Sequence, residues 1–194
     1  MRVLIMGGGV VGVTTAYQLQ RDGHEVVLLE RHADVALDTS WGNAGMIAPG
    51  HSFVWSSPKA PWTLLKSLVL KDQALRFRPS ADPRLWSWSL QFLAQCTPNR
   101  ARVNTLLKHQ LATYSQRVLQ ETVAAEAIQY DRLTRGILYF YRDQASLDAG
   151  VQHMKILADD GQEVRVLDRA QMLALEPSLA SVGGKIAGAI HCTA

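Results

Sequence analysis

Residues 1–30 read MRVLIMGGGVVGVTTAYQLQRDGHEVVLLE, and the order of residue types in this stretch decides the fold. Residues 2–6 are a short apolar run centred on Val3-Leu4-Ile5, the composition of a strand buried on both faces of a parallel sheet. Glycines 7, 8, 9 and 12 follow. Residues 13–21 then repeat at helical spacing, with Val13, Ala16, Tyr17 and Leu19 apolar. Asp22-Gly23 closes that helix, and residues 25–29 form a second apolar strand ending on Glu30.

Strand, glycine loop, helix, strand and terminal acid make up the opening of a dinucleotide-binding βαβ unit. In such a unit Gly7 permits the tight turn, Gly9 lets the backbone approach a pyrophosphate, and Gly12 lets helix and strand pack closely. The phosphates face the helix N-terminus, where free N–H groups and the macrodipole favour negative charge. Glu30, 18 residues beyond Gly12, can accept from ribose hydroxyls, which disfavours a phosphorylated ribose and leaves NAD and FAD both open.

The whole chain fits a soluble globular class. At 194 residues, 47% hydrophobic and 19% charged, it is neither disordered nor fibrous. No internal repeat is visible. The N-terminus shows neither the apolar core nor the cleavage site of a secretory signal, and no apolar run reaches spanning length. Cys96 and Cys192 form no metal or disulfide pattern, and the histidines at 24, 32, 109, 153 and 191 have no ligand spacing, so they are read as structural and no metal is expected. These features indicate a reducing, cytoplasmic setting.

Charge is regional. Residues 59–108 hold nine lysines and arginines against Asp72 and Asp82, a local +7 in a chain of net +3, which leaves −4 elsewhere. Trp55, Trp62, Trp86 and Trp88 lie in or beside that region. Solvated charges beside buried indoles are the ordinary reading. The alternative is a peripheral seat on the anionic inner face of a membrane. Nucleic acid is not expected as a partner.

Residues 38–52, DTSWGNAGMIAPGHS, crowd small side chains around one Trp, one Asn and one Met. Downstream the chain turns helical, with a short amphipathic helix over 62–70, another opened by Asp82-Pro83, and a long one capped by Thr97-Pro98 and running to about Glu126. On the long helix Val103, Leu106, Leu107, Leu111, Tyr114, Val118 and Leu119 are expected to face the core. Residues 128–133 and 136–141 read as a hairpin. Asp143 caps a helix through Leu157, residues 163–167 form a strand, Asp168 caps a short helix stopped by Glu176-Pro177, and residues 186–192 form a last strand.

The sequence resembles the FAD-dependent D-amino acid dehydrogenases, within the glycine oxidase and D-amino acid oxidase-like flavoproteins. The resemblance rests on MRVLIMGGGVVGVTTAYQL, GHEVVLLER, DTSWGNAGMIAPG, and LALEPSLA followed later by GAIHC. It implies an α/β fold, with a Rossmann-type FAD-binding βαβ domain (1–57) and an α+β substrate domain (58–194), both completed by residues this chain does not contain. It places FAD against Gly7, Gly9, Val10, Val11, Gly12, Glu30, Arg31, Thr39 and Ser40, with the flavin ring beside Asn43, Ala44, Gly45 and Met46. His51, where relatives often carry an aromatic, is the candidate substrate-lining residue.

The implied activity is oxidation of the C–N bond of a D-amino acid, or of a related secondary amine such as a proline derivative, by hydride transfer to FAD. The imino acid is then hydrolysed to a 2-oxo acid and ammonia, and electrons pass to a quinone or another acceptor. No catalytic residue is assigned, because the substrate anchors of such enzymes come from later segments. A second polypeptide carrying the rest of the fold is therefore expected. The alternatives are an NAD-dependent dehydrogenase and a non-catalytic FAD-binding subunit of an electron-transfer complex.

Overall fold

The computed structural model describes residues 1–67, 70, 77–78 and 80–193. The chain divides into two compact units, Met1–Met46 and Ile47–Ala194.

The first unit is one βαβ turn. β1 (Arg2–Met6) and β2 (Glu25–Leu29) pair in parallel, Arg2 opposite Glu25 and Met6 opposite Leu29. Between them runs α1 (Val10–Arg21), three residues longer at its start than the apolar spacing predicts, with Gly9 as its N-cap. A glycine loop carries no apolar signal, so periodicity dates the helix from its first packed residue. Gly12 explains how α1 lies so close to β1. A Cβ added there would stand 1.9 Å from the Gly7 carbonyl oxygen. Burial of β1 on both faces is not found within this unit: Val3 and Ile5 are half-buried, while Leu4 and Met6 are exposed. One helix covers only one face of a two-stranded sheet.

In the second unit the antiparallel sheet has the order β3-β5-β4, from β3 (Ile137–Tyr141), β4 (Val164–Leu167) and β5 (Gly188–Cys192). Every residue of the central β5 is buried. Its alternation sorts the core: Ile190 and Cys192 pack with Leu147, Met154 and Leu157 of α5 (Gln144–Ala158), whereas Ala189 packs with Met172 of α6 (Arg169–Leu175). Both helices start where the sequence says. Asp143 accepts from Ser146 N, and Asp168 forms a reciprocal capping box with Gln171.

The other helices are α2 (Ala60–Ser67), α3 (Pro83–Gln95), capped by Asp82, and α4 (Pro98–Ala125), capped by Thr97. Residues 68 and 69 of the predicted 62–70 helix lie outside the described residues, as do Lys71, Asp72 and Arg76 of the basic stretch. The four tryptophans of that stretch are exposed, not buried as the ordinary reading expects. Lys66 Nζ lies 5.4 Å from the Trp62 ring centroid.

Two further expectations are corrected. The apolar stripe of α4 faces the core only in part: Leu106, Val118 and Leu119 are half-buried, whereas Val103, Leu107, Leu111 and Tyr114 are exposed, and the fully buried positions are Ala101, Thr105 and His109. Small and polar residues let the helix come close to the turn at Pro49–His51, where Thr105 Oγ1 accepts from Val54 N at 3.4 Å and Lys108 Nζ donates to Phe53 O at 3.1 Å. Residues 47–57 pack within the second compact unit. Finally, residues 128–133 form no strand. β3 spends its pairing on β5, and His191 Nε2 donates to Arg135 O at 2.7 Å, which turns the incoming chain across the end of β5.

Gly150, in the middle of α5, gives a test of this packing. Replacing a helical glycine by alanine ordinarily stabilises by up to about 1 kcal/mol. Here the new Cβ would meet the Tyr141 hydroxyl at 2.4 Å, and overpacking of that kind costs about 1–3 kcal/mol. Urea unfolding should therefore show Gly150→Ala to be net destabilising, while Gly184→Ala, whose Cβ meets nothing, stays within about 0.5 kcal/mol of the parent.

Candidate dinucleotide site

The candidate site lies wholly in the first unit, in a cleft of about 710 Å³ at the carboxyl ends of β1 and β2. Gly7 and Gly9 form one wall, Glu30, Arg31 and His32 a second, and the segment from Ala36 to Ser40 the third. The volume lies in the range of small-molecule and cofactor pockets.

The walls are tied together by backbone hydrogen bonds. Gly8 is held from both sides: its N–H donates to Glu30 Oε2 at 2.6 Å, and its carbonyl accepts from Ala36 N at 2.9 Å. Ala36 adopts a positive φ of 61° to make that bond, unusual for a residue with a side chain. The other Glu30 oxygen accepts from Arg31 N at 2.7 Å and His32 N at 2.9 Å. The backbone N–H groups of His32 and Gly8 hold the Glu30 carboxyl below its ordinary value, with Arg31 N adding to them. Glu30 thus shapes the loop as well as standing at its edge. Arg31 is aimed by Asp38, whose carboxylate accepts from its guanidinium at 2.6 Å.

Ser40 closes the cradle. Its Oγ accepts from Val10 N at 2.9 Å, so its own hydrogen is free to donate elsewhere. A Cβ at Gly9 would lie 3.3 Å from that oxygen, so the space between loop and serine is kept open by the absence of a side chain. The N–H groups of Val11 and Gly12 sit in the first turn of α1, where no intrahelical acceptor exists. No acidic residue stands in that turn to oppose an anion. The donor set is that of a phosphate site.

Gly7, Gly9, Glu30, Arg31, Thr39 and Ser40 therefore line one cleft, with Val10 bound to Ser40 and Gly12 behind them. Asn43, Ala44, Gly45 and Met46 do not line it. They form an exposed turn, in which Asn43 Oδ1 accepts from Gly45 N at 2.6 Å and Asn43 Nδ2 donates to Ser40 O. His51 belongs to the second unit, where its ring stacks on Tyr139 and its Nδ1 lies 3.1 Å from the Tyr139 hydroxyl. Burial pushes the Tyr139 phenol up to about 12, so it keeps its proton and can donate to His51. Gly8, Ala36 and Asp38 escaped sequence reasoning, because their parts are played by main chain or by a salt bridge that no motif encodes. Among the described residues no group of His, Cys, Asp or Glu is gathered to hold a metal ion, and no helix is long and apolar enough to cross a membrane.

The chain is similar to known proteins over nearly its whole length. The family profile described as DAO, FAD dependent oxidoreductase, matches residues 2–194. D-amino acid dehydrogenase 2 of Mesorhizobium japonicum is 42% identical over 191 residues, covering 98% of this chain and 46% of that protein. D-amino acid dehydrogenase of Azorhizobium caulinodans is 41% identical with the same coverage. The chain thus spans about half the length of these curated relatives. The crystal structure of glycine oxidase from Geobacillus kaustophilus shares the fold, with a TM-score of 0.55 at 21% identity, covering 98% of this chain and 39% of that one. The match decides between the two dinucleotides that the βαβ unit left open, in favour of FAD. This chain belongs to the DAO family of FAD-dependent oxidoreductases.

Proposed function

We propose that this chain supplies the pyrophosphate-binding part of a flavoenzyme that oxidises the C–N bond of a D-amino acid. The observation that carries the proposal is the cradle formed by Gly9, the first turn of α1 and Ser40, in a chain about 40% identical to proteins named D-amino acid dehydrogenase. In it, Val11 and Gly12 N–H groups and the Ser40 hydroxyl donate to the pyrophosphate. Thr39 stands beside Ser40 as a further hydroxyl donor, and Glu30 accepts from the ribose with whatever lone pairs its three backbone partners leave. Asn43 to Met46 offer an edge of small residues and main-chain N–H to the ring. FAD, when bound, supplies the acceptor for the substrate hydride. His51 is the residue of this chain proposed on the substrate side.

Further polypeptide is part of the proposal. The chain spans about half the length of its curated relatives, and Leu4 and Met6 of β1 are exposed within their unit. A second polypeptide carrying the rest of the fold would give the substrate anchors and the complete enzyme. A quinone or similar acceptor would take the electrons. Exposed Trp55, Trp62, Trp86 and Trp88 among basic side chains support a peripheral seat on anionic lipid for that step.

Four outcomes are expected. Gly9→Val should lose FAD, read as visible flavin absorption after desalting, with an unchanged circular dichroism spectrum. Ser40→Ala should weaken FAD by about 1.5–3 kcal/mol, the worth of a hydrogen bond to a charged group. Full flavin retention in both variants would remove Gly9 and Ser40 from the site. In the complemented enzyme, dye reduction should proceed with D-amino acids and not with their L-enantiomers; the reverse preference would overturn the substrate assignment. Cosedimentation at low salt should be greater with vesicles containing phosphatidylglycerol than with phosphatidylcholine alone, and equal binding to both would exclude the membrane seat.

A further inference from the structure

The inward face of α4 ends on a buried histidine that the cofactor chemistry does not use. His109 is 4% exposed and stands beside a cavity of about 500 Å³ within the second unit. Its Nδ1 is 2.7 Å from Asp160 Oδ2 in the turn after α5, and its Nε2 is 3.4 Å from Gln162 Oε1, just before β4. The orientation of that amide is set from the other end: Gln162 Nε2 donates to Thr193 O at 2.5 Å and to Glu163 O at 3.4 Å. The amide oxygen therefore faces the ring. Asp160 and Gln162 both present acceptors, and only an imidazole with hydrogens on both nitrogens satisfies the two at once.

We propose that His109 is a proton-dependent latch. Doubly protonated, it ties α4 to the turn after α5 and, through Gln162, to the residue that follows β5. When the ring loses one proton, a nitrogen lone pair is left against an oxygen in a buried site, and one tie opens. The sign follows from where the proton is held. The latched state binds it, so the latch is closed at lower pH and weakens as pH rises.

The neighbouring charged groups do not supply an alternative proton. Glu163 is engaged by Thr193 Oγ1 and Arg165, and these bonds hold its carboxyl below the ordinary value. On α4 itself, Lys108 donates to Phe53 O, and Arg117 lies over the Tyr114 ring and pairs with Glu121. On the turn packed against α4, His51 is paired with Tyr139. Burial keeps the Cys192 thiol protonated by raising its ionisation. Asp159, beside Asp160, caps the end of α5 through its backbone N–H.

Nitrogen-15 histidine NMR on the full 194-residue chain tests the latch. At the acid end of a pH series His109 should show two ring N–H signals protected from solvent, and the signal from Nε2 should be lost as pH rises. Over the same range, amide exchange near residue 109 and at Thr193, corrected for its intrinsic pH dependence, should rise together by roughly two- to tenfold, the equivalent of one hydrogen bond. His109→Gln should abolish that joint pH dependence. Gln162→Ala, which leaves the His109–Asp160 pair intact, should raise exchange at Thr193 at all pH values and keep the Nδ1 signal, and it serves as the test if His109→Gln does not fold. A single ring N–H signal throughout, or a joint pH dependence that survives both substitutions, would overturn the proposal.

Discussion

The close approach of α1 to β1 at Gly12 is the constraint on which the proposed cofactor site depends. With the Gly7 carbonyl 1.9 Å from where a Cβ would be, the helix can come down onto the strand only if residue 12 has no side chain. That approach sets where the first turn of α1 points, and so where its free N–H groups converge. The rest of the cleft is assembled onto this corner. Gly8 gives its N–H to Glu30 and its carbonyl to Ala36, so the chain leaving β2 is fastened to the glycine loop by main-chain bonds. Ser40 then reaches back to Val10. In the proposed role, a phosphate arriving there would meet donors already aimed, with little ordering left to oppose its binding.

In the second unit the corresponding constraint is the burial of β5, which is flanked by strands on both edges and by helices on both faces. The fully buried positions of α4 are alanine, threonine and histidine, and four of its larger apolar residues are turned outward. A helix with this inverted pattern makes its inner contacts by proximity and hydrogen bonding, as at Thr105 and His109. Its outer stripe of Val103, Leu107, Leu111 and Tyr114 is a second surface of different chemistry.

How much of this was legible in the sequence depended on whether the signal was local. β1, β2, the caps at Asp82, Thr97, Asp143 and Asp168, and the stop at Pro177 follow from short-range stereochemistry, and they stand where the residues place them. The glycine loop was legible because each glycine answers a steric demand. The facing of α4 was not: periodicity says that a helix has an apolar side, not that this side is the one its own unit buries. The 128–133 strand failed for a similar reason, since strand composition does not reveal that β3 takes its partner from residues 188–192. In the site, Gly8, Ala36 and Asp38 act through backbone atoms or a salt bridge, and no residue pattern announces such roles.

The central claim, that the cradle at the N-terminus of α1 receives the cofactor pyrophosphate, is tested most directly by amide shift mapping during titration with ADP, which carries the adenosine and two phosphates of FAD. The account predicts that Gly9, Val11 and Gly12 shift first and most, with Ser40 and Glu30 following. Saturable binding that leaves those five amides unmoved would contradict it.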